Sequence, residues 1–251
     1  MYPGGNAVNV AVHARRLGHV SAYIGCVGDD AAGTLLYNAL SEEGVDVTRM
    51  RRMAGENAFC DIRLVDGERV FGDYSGGMVD QLVLDKDDFE FLSRFDLVHT
   101  SVYSFLDETL AEIKACAKYL SYDFSNEWDK ALLAKVLPLV DFALISHTVG
   151  DIRKNAELLQ WAVAQGTKLV LVTSGDQGAA VYDGNDFYFQ PIIPIENAID
   201  TLGAGDAFAA CFLTKYIEKG RIEEALAEAA RYAASACTQH GAFGHGTRYI
   251  M

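Results

Sequence analysis

Asp200-Thr201-Leu202-Gly203-Ala204-Gly205-Asp206, running on into Ala207-Phe208-Ala209-Ala210, is the stretch on which the reading turns. A loop of small residues opens directly into an apolar helix. The first turn of such a helix leaves backbone N–H groups unpaired and aimed outward. Its aligned peptide dipoles add partial positive charge there, and glycines let a ligand approach the backbone closely. Together these features make an anion site suited to a phosphate or to charge developing on a phosphoryl group in transit. Asp206 then has two readings. It is either an ordinary first-turn carboxylate at a helix start, or a base that takes the proton of a hydroxyl attacking phosphorus.

Working outward, short apolar runs alternate with amphipathic stretches. Asp96–Thr100, Leu120–Phe124, Phe142–Ser146 and Lys168–Thr173 read as strands, with helices near Asp107–Tyr119, Asp129–Val136 and Asp151–Gln165 between them. That rhythm specifies a parallel sheet covered by helices on both faces. Ala179–Tyr182 and Phe187–Gln190 read as a hairpin about Asp183-Gly184, and two helices close the chain, Gly203–Lys219 and Ile222–His240. Upstream, Asn6–Leu17 and Ala32–Glu43 read as helices flanking a strand-like Val20–Val27. Ala58–Val65 and Arg69–Tyr74, joined at Asp66-Gly67, read as a hairpin with one face open to water or substrate.

Composition bounds the function. The 251 residues fit one or two domains, and 50% hydrophobic with 22% charged residues is ordinary for a core-forming chain and excludes whole-chain disorder. A formal charge of -14 repels phosphate backbones and anionic lipid surfaces, so no nucleic-acid or membrane partner is expected. No apolar run approaches the roughly 18 residues of a membrane helix, and Met1-Tyr2-Pro3-Gly4-Gly5 has no signal-peptide character. The five cysteines are scattered and form no CxxC pair, and the six histidines form no HxxxH or HxH pair. A cytoplasmic protein with reduced thiols and no zinc site is expected.

The Asp200–Asp206 string resembles the C-terminal signature of the PfkB (ribokinase-like) family of carbohydrate kinases. Gly4-Gly5-Asn6, Asn9, Ala11 and Arg16-Leu17-Gly18 resemble the family's N-terminal signature, as does Gly25-Cys26-Val27-Gly28-Asp29-Asp30-Ala31-Ala32-Gly33. The resemblance covers essentially the whole chain. It implies one kinase domain over residues 1–251, a ribokinase-like three-layer α/β/α sandwich with a small β lid near residues 56–76. By position it implies Asp206 as catalytic base and the amides of Gly203, Ala204 and Gly205 as the anion hole. Gly4, Gly5, Asn6 and Asn9 fall where relatives contact sugar hydroxyls, a role that asparagine amides suit because they both donate and accept. Thr173, Gly175, Gly178, Thr201 and Gly241 fall on the ATP side. The loops around Asp200, Leu202 and His240–His245 fall where relatives often bind K+ through carbonyls. Lid strands in relatives pair across a homodimer.

Within the family, Gly4–Val12, Arg69–Tyr74, Tyr122–Ser125 and Gln239–Ala242 most resemble kinases that phosphorylate the sugar 6-hydroxyl of fructoselysine, an Amadori compound. Such a substrate carries amino-acid charges. Asp73, on the hairpin, and Asp123, at the C-terminal end of a strand where wound sheets place ligands, are candidate contacts. The alternatives are an exposed hairpin charge and a loop carboxylate. Fructose, a ketodeoxy sugar acid or a nucleoside as substrate keeps the same fold, and a non-catalytic sugar or nucleotide sensor is the rival from another class. A Rossmann dehydrogenase is disfavoured, because no early strand-GxGxxG-helix unit occurs.

Two departures from the family pattern stand out. Relatives place a core strand, an acidic turn and a lid strand before the Gly-Gly-Asn motif, which here begins at residue 4. The expectation is that some 20–30 residues of strand and turn are missing, through truncation or a misassigned start. Where many relatives carry N-x-x-E for Mg2+ and phosphate handling, this chain reads Ser146-His147-Thr148-Val149-Gly150-Asp151. Asp151 and Asp200 are therefore only candidates for a metal, and Mg2+ is expected to sit chiefly on ATP phosphates and water.

Overall fold

The structure, a computed structural model, describes residues 1–65, 68–147, 155–195 and 198–248. Ten strands and eight α-helices follow in chain order: α1 (Asn6–Arg16), β1 (Cys26–Gly28), α2 (Ala31–Glu42), β2 (Arg51–Met53), β3 (Phe59–Val65), β4 (Glu68–Ser75), α3 (Lys86–Leu92), β5 (Leu97–Ser101), α4 (Leu110–Cys116), β6 (Tyr119–Asp123), α5 (Lys130–Val136), β7 (Phe142–Ser146), α6 (Ala156–Ala164), β8 (Leu169–Thr173), β9 (Ala179–Tyr182), β10 (Phe187–Gln190), α7 (Ala204–Lys219) and α8 (Ile222–Ala236).

The main sheet has six strands in the order β10-β9-β8-β7-β6-β5. Strands β5 to β8 are parallel, and β9 and β10 add on antiparallel. Alternation along each strand feeds two cores. Phe142, Leu144, Leu169, Leu171 and Val181 pack under α7 and α8. Ala143, Ile145, Val170, Val172 and Ala180 face the opposite layer, against Leu110 and Ile113 of α4, Leu133 and Val136 of α5, and Leu159 and Ala162 of α6. The expected α/β/α sandwich is therefore present.

Three helices open on aspartate side chains that occupy their first-turn amides. Asp30 accepts from Gly33 N at 2.8 Å and Asp129 from Leu132 N at 2.8 Å. Asp85 and Asp88 form a reciprocal capping box on α3. Asp88, fully buried, also pairs with Arg49 and Arg51 and so joins α3 to the β2 region.

The front of the chain departs from expectation. Val20–Val27 does not form a full strand. Ala22 makes one bridge to Asp46, and ladder pairing begins only at Cys26, which pairs with Arg51. A strand persists only where a neighbour supplies hydrogen bonds, and β1 and β2 pair with each other as a separate two-stranded sheet. α3 and β2 were also not legible in the sequence pattern. The 59–75 hairpin is present, with a register shift between Cys60 and Ile62, while its Asp66-Gly67 turn lies outside the described residues.

Candidate active site

Three chain segments converge at the start of α7. The first is α7 itself. Gly203 is its N-cap with φ 74, and no side chain caps it. A Cβ on Gly203 would stand 2.5 Å from Ala242 Cβ, so glycine is required both by conformation and by space. The N–H of Ala204 bonds to the Thr201 carbonyl at 3.2 Å. The amides of Gly203, Gly205 and Asp206 have no acceptor among the described residues. The expected anion hole is thus available at Gly203 and Gly205, with Asp206 N in place of Ala204 N. A Cβ on Gly205 would enter open space, so this glycine leaves clearance over the helix end.

The second segment is α1. Asn6 and Asn9, spaced i and i+3, share one helix face. Asn6 donates to Asp123 Oδ2 at 2.8 Å, and Asn9 donates to Asp206 Oδ2 at 2.6 Å. The third is the end of β6. Asp123 also accepts from Ser125 N at 2.7 Å. Burial pushes the Asp123 carboxyl above the ordinary aspartate range, against these two hydrogen bonds. Burial, reinforced by the charge of Asp123, pushes Asp206 up to about 7, with the Asn9 hydrogen bond working the other way. An aspartate near 7 is matched to proton acceptance at neutral pH.

These groups line a cleft of about 2520 Å³ that also includes Gly4, Gly5, Thr173, Leu202, Gly203 and Gly205. The cleft runs on between the edge strands β1 and β5, past Cys26, Val98 and Thr100. On the lid side it is lined by Asp61, Gly72 and Tyr74, and on the sheet side by Tyr103 and Glu127. Asp73 is exposed and does not line it. Between the pairs Cys60–Tyr74 and Ile62–Phe71, the two β4 residues Gly72 and Asp73 stand opposite Asp61 alone, so strand alternation is broken there. Asp61 lines the cleft and Asp73 does not, which departs from the expectation for Asp73.

The nucleotide-side expectations divide. Thr173 lines the cleft, but Gly175, Gly178, Thr201 and Gly241 do not. Two of these glycines have local reasons to be glycine. Gly178, φ 91, packs against the Gln190 carbonyl. Gly241, φ 67, packs against the Tyr2 ring, which a Cβ would approach to 2.7 Å. Thr201 is exposed beside the helix start. Asp200 accepts from Leu202 N at 2.9 Å and Gly241 N at 2.8 Å, so its carboxylate ties the two loops together. Asp151 lies outside the described residues. Among the described residues no group of three His, Cys, Asp or Glu side chains could hold a metal ion.

Comparison with known proteins agrees with this geometry. The model of the pfkB family carbohydrate kinases matches residues 1–245, and the chain belongs to that family. It is 42% identical over 254 residues to fructosamine kinase FrlD of Bacillus subtilis, covering 100% of this chain and 89% of that protein. It is 35% identical over 242 residues to fructoselysine 6-kinase of Escherichia coli, covering 96% and 92%. Among solved structures, Arabidopsis thaliana ribokinase complexed with ribose and ATP superposes with a TM-score of 0.84 at 23% identity, over 96% of this chain and 83% of that one. At that identity the likeness shows the fold alone.

Proposed function

We propose that the protein transfers the γ-phosphoryl group of ATP to the 6-hydroxyl of fructoselysine. The observation that carries this reading is a single carboxylate, Asp206, pushed up to about 7 and standing at the uncapped start of α7 inside the cleft. The names of the relatives at 42% and 35% identity support the substrate.

In this reading the 6-hydroxyl gives its proton to Asp206 while its oxygen attacks the γ-phosphorus. The bond from that phosphorus to the ADP oxygen breaks, and ADP leaves. The unpaired amides of Gly203, Gly205 and Asp206 stabilise negative charge on the transferring group. Gly4, Gly5, Asn6 and Asp123 hold the sugar. Glu127, which lines the cleft, suits a substrate that carries an ammonium group. The described residues do not form a protein cage for Mg2+. When bound, Mg2+ would be held chiefly by the ATP phosphates and water and would supply charge neutralisation there. A K+ ion would take carbonyl oxygens of the two loops that Asp200 joins. The lid hairpin closes over the sugar to limit hydrolysis by water.

Phe59, Ile62 and Tyr74 of the hairpin line the cleft and are exposed in the single chain, and in this reading the hairpin of a second copy covers them. In this reading the protein is cytoplasmic, where thiols stay reduced. No helix among the described residues is long and apolar enough to cross a membrane.

The test is ADP release with fructoselysine, fructose, ketodeoxygluconate and a nucleoside offered side by side. Fructoselysine should give the highest kcat/KM. Preference for another sugar overturns the substrate, and binding without ADP release from any of them overturns the kinase reading.

A further inference from the structure

Asn9 is not placed as a simple sugar contact. It is 5% exposed, and its Nδ2 donates to Asp206 Oδ2 at 2.6 Å across 197 residues of sequence. Its other end, Oδ1, is buried without a partner among the described residues. Chemistry fixes the direction of this amide. Its N–H end must face the carboxylate, because the oxygen end would set two acceptors against each other. Gly203 lies beside this pair: a Cβ there would make an ordinary 3.5 Å contact with Asn9 Nδ2 and would collide with Ala242.

One helical turn earlier, Asn6 holds Asp123 in the same way. The two asparagines therefore grip two carboxylates that repel each other, one on β6 and one on α7. With Oδ2 of Asp206 occupied, Oδ1 is the oxygen left to receive a proton.

We propose that Asn9 is a positioning residue for the base: it fixes the Asp206 carboxylate so that one defined oxygen accepts the substrate's proton. This rests on the reading of Asp206 as base. The charge of Asp123, on β6, opposes ionisation of Asp206, and the hydrogen bond from the neutral amide of Asn9, on α1, supports it. Removing the Asn9 donor should therefore make Asp206 harder to ionise, in addition to freeing its rotamer.

The experiment is the pH dependence of ADP release by three variants of the full chain, Asn9→Ala, Asn9→Asp and Asp206→Asn, with fructoselysine varied to separate kcat from KM. Asn9→Ala should lower kcat roughly 10- to 100-fold through misplacement of the base. It should also move the acidic limb of kcat/KM upward by about one pH unit. Asn9→Asp, which keeps the shape but sets a second carboxylate against Asp206, should move the limb further up. A structural role alone would lower activity without this ordered displacement. A raised KM for fructoselysine with an unmoved limb in both Asn9 variants overturns the inference and returns Asn9 to a sugar contact. If Asn9→Ala fails to fold, the isosteric Asn9→Asp decides alone. Full turnover by Asp206→Asn is a separate failure, and it falls on the assignment of the base.

Discussion

Replacing Asp206 with Asn should cost activity and add stability, and the stability gain should grow with pH. The Asp206 carboxyl rises from 3.8 to about 7 in the folded protein, mainly through burial. In the unfolded chain it ionises near its ordinary value. Between those values the folded state holds a proton that the unfolded state has lost, so stability falls as pH rises through this window and levels off above about 7. A displacement of about 3 units at 1.36 kcal/mol per unit makes the full penalty about 4 kcal/mol. Asparagine has the same shape, can still accept from Asn9, and cannot ionise. The variant should therefore gain on the wild type by about 2 kcal/mol between about pH 5.5 and pH 8.5. Denaturant unfolding of both proteins at several pH values reads this difference directly. ADP release by the same variant should fall roughly 10²- to 10⁴-fold with ATP binding retained. A stability difference that does not change with pH, or a wild type that is the more stable at high pH, would refute the account of a desolvated carboxylate held for catalysis.

Three further outcomes follow from the same geometry. The kcat/KM of the wild type should fall about tenfold per pH unit below the Asp206 value, so that only about 10% of the activity remains near pH 6 in a pH–rate profile. Gly203→Ala and Gly205→Ala should separate fold from function. The first collides with Ala242 at a positive φ and should lose about 1–3 kcal/mol in denaturant unfolding. The second enters open space, and it should leave unfolding unchanged while impairing phosphoryl transfer by crowding the anion site. In the proposed dimer, Ile62→Glu, at an exposed apolar position of the lid hairpin that also lines the cleft, should shift sedimentation from dimer toward monomer. An unchanged sedimentation coefficient counts against pairing through that face.

Much of this molecule could be read along the chain. The β5–β8 rhythm was visible because each strand is a short apolar run buried on both faces, and its connecting helices have the other period. The start of α7 was visible because a run of small residues opening directly into an apolar helix is a local pattern. The front was harder. Val20–Val27 looks like a strand by composition, but only Cys26–Gly28 has a ladder partner beyond a single bridge. Asp73 carried a plausible charge but is not among the cleft-lining residues, whereas Asp61, opposite Gly72 and Asp73 in an irregular stretch of pairing with no sequence signature, is. Gly178 and Gly241, read along the chain as nucleotide contacts, make room for the Gln190 carbonyl and the Tyr2 ring and do not line the cleft. The i,i+3 spacing of Asn6 and Asn9 was in plain view, and it could have signalled that both amides act on one side of α1.

By itself, then, the sequence determined the sandwich and the acidic character and pointed to the proposed anion site and base, because each rests on local pattern or on residue chemistry. Only the tertiary structure decided which amides at the start of α7 stay unpaired. It alone brought Asn9 to Asp206, set Asp123 close enough to raise the carboxyl of Asp206, and sorted cleft-lining from outward carboxylates on the lid. Hydrogen bonding, desolvation and charge repulsion depend on distances across the fold, and residues 197 positions apart acquire a distance of 2.6 Å only when the chain has closed on itself.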